Sequence, residues 1–174
     1  MITLREYKKQ VGKLEPPLTL CYLVKEDSVL IGRKKRGAGK GLLVGFGGKL
    51  EKGESIEEAA LREVEEEAGV RVLDIKKVAD VNYYFPDKSG QGNWNQNVHV
   101  FIASKWRNEP KETDEMKPKW FKKDKLPYDQ MWDDSRYWTN LVLEGQTIKA
   151  DFLYNNELKV VEYQLNACFD GSNL

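Results

Sequence analysis

Among 174 residues there are only two cysteines, Cys21 and Cys168, and one histidine, His99. A disulfide framework or a zinc site needs more thiols or imidazoles at short fixed spacing, so both are excluded. The two cysteines sit far apart in apolar surroundings and are expected as buried free thiols in a reducing compartment. Charge of one sign is also lacking: 28 Lys and Arg stand against 28 Asp and Glu. Bulk, sequence-blind binding of nucleic acid needs a strong basic excess, so no stable nucleic-acid partner is expected. No apolar run approaches the roughly 18 residues of a bilayer span, so no membrane partner is expected either. Met1 to Gln10 has no apolar core and no small-residue cleavage site, and it contains Glu6. It reads as neither a secretory signal nor a transit peptide, and a cytoplasmic location is expected. Repeats and low-complexity stretches are missing as well. At roughly 100–200 residues per domain the expectation is one domain and a monomer. Residues 1–17 read as an arm or short helix, 18–167 as the domain, and 168–174 as a tail.

What is present reads as strands around two main helices. Pro16-Pro17 stops any N-terminal helix. Leu18 to Lys25 and Val29 to Arg33 read as strands of a hairpin turned by Glu26-Asp27-Ser28. The basic, glycine-rich run from Arg33 to Gly41 reads as a loop. An irregular strand and loop from Leu42 to Glu54 precedes the clearest helix, Ser55 to Ala68. Ser55 with Glu58 three residues on is a capping box, Ile56, Ala60 and Val64 form an apolar face, and Gly69 is a stop. Val70 to Tyr84 and Asn97 to Trp106 read as strands separated by an exposed loop, Pro86 to Gln96. A charged loop from Asn108 to Met116 leads to a short strand at Lys119 to Lys123. Met131 to Leu143 reads as a second helix, and Ile148 to Tyr154 with Lys159 to Leu165 as a closing hairpin. The fold class is α+β, a mixed sheet with helices packed on it.

The chemistry concentrates in Gly47-Gly48-Lys49-Leu50-Glu51-Lys52-Gly53-Glu54 and in the helix end Arg62-Glu63-Val64-Glu65-Glu66-Glu67-Ala68-Gly69-Val70. Glu63 and Glu67 are four apart and share a helix face, with Glu66 beside them. Like charges at that spacing destabilise a helix, and the macrodipole disfavours anions near its C-terminus, so a cation must offset the cost. Hard divalent cations such as Mg²⁺ take oxygen ligands, typically one or two carboxylates plus substrate phosphates. Arg62, four residues before Glu66, is placed to pin a carboxylate. Taken alone, a glutamate run is more often a solvated helix face.

The full pattern runs Gly48, five residues, Glu54, seven residues, Arg62-Glu63, an aliphatic, one residue, Glu66-Glu67, one residue, Gly69, an aliphatic. It resembles the signature box of the Nudix hydrolases at every fixed position. The resemblance implies an α/β/α sandwich around a mixed sheet, and hydrolysis of nucleoside diphosphates linked to another moiety with Mg²⁺ or Mn²⁺. It implies Glu63, Glu66 and Glu67 as metal ligands, with the Gly47 carbonyl as a further one. Glu54 is expected to support the site, and Arg62 to hold a glutamate.

Beyond the box, Gly45-Phe46-Gly47-Gly48-Lys49, Asn97 to Phe101, Asp114 to Pro118 and Met131 to Trp138 resemble the branch of the family that hydrolyses oxidised purine nucleoside triphosphates. That likeness implies a small-molecule nucleotide substrate and a sanitising role in the nucleotide pool. It implies Glu115 as a metal ligand or general base, Trp132 as a stacking surface, and Asp134 or its neighbour Asp133 as a base reader. Thr19, Lys34, Val44, Phe46 and Tyr84 complete the expected substrate contacts. Three positions depart from that branch: Val44 stands for an asparagine that contacts the purine, Ala38 for a phenylalanine and Ser135 for a second acidic residue. Other substrates of the family (a nucleotide sugar, a dinucleoside polyphosphate, an RNA 5′ end) and a non-catalytic sensing role stay open at this point. His99 is expected to be structural.

Overall fold

The computed structural model describes residues 2–88 and 94–169. Three helices, α1 (Leu4–Val11), α2 (Ile56–Ala68) and α3 (Ser135–Leu143), accompany eight strands. These are β1 (Leu18–Lys25), β2 (Ser28–Lys34), β3 (Leu43–Val44), β4 (Arg71–Tyr84), β5 (Gln96–Arg107), β6 (Met116–Lys122), β7 (Gln146–Tyr154) and β8 (Val160–Phe169). One mixed sheet runs β3-β2-β1-β5-β4-β7-β8, with β6 also pairing β2. β1 lies parallel to β5, and β4 parallel to β7; the other pairs are antiparallel.

Strand alternation sorts the apolar residues onto two faces. On one face Tyr22, Ile31, Val81, Val100 and Phe152 pack under α3 with the fully buried Trp138. On the other, Cys21, Leu23, Leu30, Phe46 and Phe101 pack under α2 through Ala60, Val64 and Ala68. The same face carries α1 farther along, where Leu4 and Tyr7 meet Tyr84 and Leu153. The result is a three-layer α/β/α sandwich.

Local signals account for the helix bounds. Ser55 and Glu58 form a reciprocal capping box, and Gly69 ends α2 in the left-handed conformation at φ 70°, where a side chain is disfavoured. Thr3 and Glu6 cap α1 in the same manner. Three expectations are corrected. The second helix begins at Ser135 rather than Met131, because Asp133 accepts the Val160 N–H at 3.0 Å and holds the preceding turn to the hairpin. The closing strand runs on to Phe169, past Leu165. Cys21 is buried but Cys168 is exposed, since it lies on the free edge of the sheet. Part of the expected loop from Pro86 to Gln96 and most of the tail from 168 lie outside the described residues.

Candidate active site

Arg62 organises the carboxylates of α2. Its Nε and Nη2 donate to Glu54 at 2.6 and 3.0 Å, its Nη1 to Glu63 at 3.0 Å and Glu66 at 3.2 Å, and its Nη2 to the Lys49 carbonyl at 3.0 Å. Hydrogen bonds from Arg62, with one from the Glu51 N–H, hold the Glu54 carboxyl below its ordinary range. Glu67 is 3% exposed and accepts the Gly47 N–H at 2.9 Å. Burial, together with the nearby charges of Glu63 and Glu115, raises its pKa to about 7 against the Gly47 N–H and Lys34. Burial also raises Glu63, with Glu66 and Glu115 adding to the effect against Arg62. Glu65 is exposed. The helix end itself is satisfied: Lys111 N–H donates to the Ala68 carbonyl and Thr113 Oγ1 to that of Glu67.

Glu115 is ion-paired with Arg36, yet lies near enough to Glu63 and Glu67 to raise both. Lys35 bonds Glu112 and the Thr113 carbonyl, so Lys35 and Arg36 clamp the 112–115 loop, and of the basic loop residues only Lys34 lines the cavity below. The donor set suits a hard divalent cation. It offers all-oxygen ligands, with Glu63 and Glu67 largely withdrawn from water beside the exposed Glu66, and repulsion that a cation relieves. Among the described residues no three such side chains close on one point, because Arg62 and the Gly47 N–H hold them apart.

A cavity of about 320 Å³ opens on the α3 face of the sheet beside Gly47 and Gly48. Thr19, Lys34, Val44, Trp132 and Asp134 line it. The Trp132 ring stands edge-on to Tyr154 at 6.4 Å between centroids. A Cβ on Gly39 would come within 3.1 Å of that ring, so the basic loop packs directly on it. Asp134 is 2% exposed. It accepts from Tyr83 Oη at 2.8 Å and Trp138 Nε1 at 2.6 Å, and also from Tyr154 Oη. Burial raises its pKa despite these three donors.

Three expected contacts fall elsewhere. Phe46 is fully buried in the core under α2, its backbone paired with Cys21. Tyr84 points to the α1 face because Tyr83 and Phe85, its neighbours in an extended chain, take the cavity side; it packs on Tyr7. Asp133 turns to Lys159 and the Val160 N–H and does not line the cavity. His99 Nδ1 lies 2.8 Å from Asp80 Oδ1, without the alignment of a hydrogen bond and away from the cavity. Trp94 and Gln96 are among the lining residues that escaped the sequence reading. The period of two that places Val98 and Val100 also places Gln96, and would have found it.

Residues 15–142 match the NUDIX domain model. An oxidized purine nucleoside triphosphate hydrolase of Danio rerio is 39% identical over 88% of this chain and 96% of its own. The Mus musculus protein of the same name is 35% identical over 84% and 92%. Among solved structures, the MutT protein from Bacillus halodurans superposes with a TM-score of 0.73 at 29% identity, over 86% of this chain and 97% of that one. The matched stretch contains both the Arg62-centred carboxylates and the Trp132 cavity, and the chain belongs to the Nudix hydrolase family.

Proposed function

We propose that this enzyme hydrolyses purine nucleoside triphosphates, oxidised ones included, to the monophosphate and pyrophosphate, as a cytoplasmic monomer that sanitises the nucleotide pool. The observation that carries the reading is one of adjacency. The cavity walled by Trp132 and Asp134 abuts the carboxylates through Gly48, whose Cα hydrogens face Glu63 so closely that a Cβ would come within 2.4 Å of its carboxylate. A base in the cavity therefore delivers its phosphates to α2. The names and close similarity of the fish and mouse relatives support the same substrate class.

Mg²⁺ or Mn²⁺ would be held by Glu63, Glu66, Glu67, Glu115 and the Gly47 carbonyl. Such ions neutralise phosphate oxygens and lower the pKa of a bound water for in-line attack. The chain's own residues supply the rest. Trp132 offers a stacking face, worth about 1–3 kcal/mol per base. Lys34, close to Glu67 and on the cavity wall, meets phosphate charge between the two halves of the site. Arg62 orients Glu63 and Glu66 through its hydrogen bonds, and Glu54 holds Arg62.

Release of pyrophosphate and monophosphate over a panel of normal and oxidised purine triphosphates, with and without Mg²⁺, tests the proposal. Metal-dependent release of both products is expected. Turnover that ignores metal, or none on any triphosphate, rejects it. Capped RNA and nucleotide sugars would leave different fragments and are separated by the same product analysis.

A further inference from the structure

Resting on that reading, we infer that Gln96 reads the polar edge of the purine and sets base preference in this enzyme. Gln96 opens β5 and pairs across the sheet with Tyr83, so the two side chains stand side by side on the cavity face. Both line the cavity. Among the described residues no group hydrogen-bonds the Gln96 side-chain amide, whereas the other strong polar reader is already committed. Asp134 accepts from Tyr83, Tyr154 and Trp138, three of the roughly four acceptor sites that a carboxylate offers. Val44, on another wall, has no polar atom in its side chain. Gln96 is thus a neutral donor-and-acceptor group left facing the ligand.

The chemistry of the amide fixes the class of base edge. Its NH₂ and carbonyl lie side by side, so it complements an edge that presents a donor beside an acceptor. An oxo group next to a ring N–H fits, as does an amino group next to a ring nitrogen after the amide turns over. A carboxylate at this position would instead favour edges with two donors. The reader of the base therefore sits at the start of β5, on the cavity wall that Trp94 and Asp134 also line.

The test combines enzyme and substrate changes. Wild type, Gln96→Met and Gln96→Glu are assayed on purine triphosphates lacking in turn the exocyclic group at position 2, 6 or 8. Gln96→Met preserves length and is expected to lower kcat/KM by about 10- to 100-fold, the scale of one bidentate contact, with the loss in KM. Deleting the base group that Gln96 reads costs wild type the same factor, and the two losses do not add. Gln96→Glu, which keeps size and hydration if the methionine variant folds poorly, is expected to change the ranking of bases. An active wild type whose variants keep the same KM and the same ranking, or whose losses add for every analogue, overturns the role of Gln96 alone. A wild type inert toward every purine triphosphate overturns this inference together with the proposed function.

Discussion

Glu67 shows how one side chain can be a cost to the fold and a requirement of the chemistry. It is buried beside Glu63 and Glu115, and its pKa rises to about 7. The unfolded chain titrates near the ordinary value of 4.5, so between these values the folded protein binds more protons. Metal-free stability contributed at this residue is therefore full below about pH 4.5 and is lost as pH rises through about 7. The difference corresponds to on the order of 3 kcal/mol. Glu67→Gln, which still accepts the Gly47 N–H, should flatten the fall in melting temperature between pH 5 and 7 and remove stabilisation by Mg²⁺. It should also cut turnover by about 10²–10⁴-fold, while Glu65→Gln, on the exposed side of α2, changes neither. Melting curves and rates for the two variants decide it, and equal effects in both would mean that the helix face is misassigned. Asp134 is also raised by burial, but it is held by three donors. Asp134→Ala strands three donors in a dry site and should cost about 3–5 kcal/mol, read as a loss of denaturation midpoint.

At the scale of elements, α1 is where sequence reading stopped short. Residues 1–17 read as an arm or a short helix with no role. In the structure Leu4 is fully buried, its N–H donates to Glu162 at 2.8 Å, and Lys8 pairs with Asp151. Tyr7 accepts from Asn95 Nδ2 at 3.3 Å, while Asn95 Oδ1 accepts the Phe85 N–H at 2.8 Å. The helix thereby braces the strand end that carries Phe85 to the cavity. Leu4→Ala should cost about 2–4 kcal/mol and lower the melting temperature by roughly 5–15 °C; a shift under 2 °C would show that α1 is not part of the cooperative fold. The legible parts share a cause. Ser55, Glu58 and Gly69 act through neighbours three or four residues away, and the box spacing places Arg62 among its glutamates by helix geometry alone. Contacts between distant segments were not legible. Asp133 is claimed by the hairpin at Val160, Phe46 by the core under α2, and Glu115 by Arg36. Each partner lies at least 25 residues away in sequence or on an element whose face was not yet known. Tyr84 and Gln96 were misjudged for a simpler reason: the period of two was not carried through the strand ends.

Across the whole molecule, the sheet separates two chemistries, and the Gly47-Gly48 turn joins them. The base cavity lies under α3, whereas the carboxylates belong to α2 on the opposite face. The chain crosses between them where Thr19 N–H donates to the Gly48 carbonyl at 2.8 Å. The two glycines serve this crossing differently. A Cβ on Gly47 would fall 1.9 Å from the Thr19 carbonyl oxygen, a backbone atom of β1 that cannot move without disturbing the sheet. A Cβ on Gly48 would fall 2.4 Å from Glu63 Oε1, the far end of a side chain that can swing aside. Gly47→Ala should therefore damage the fold, with a marked drop in melting temperature and weak binding of every ligand. Gly48→Ala should keep a near-normal melting temperature and near-normal affinity for a purine nucleoside without phosphates, because Trp132 and Asp134 are untouched. Its Glu63 carboxylate, however, is pushed out of the grip of Arg62, so Mg²⁺-induced stabilisation and turnover should fall together. Calorimetry of the two variants with nucleoside alone, Mg²⁺ alone and both separates these outcomes. If Gly48→Ala retained its metal response, Glu63 would have to reach the cation from another rotamer, and the coupling of the two faces through this turn would be wrong.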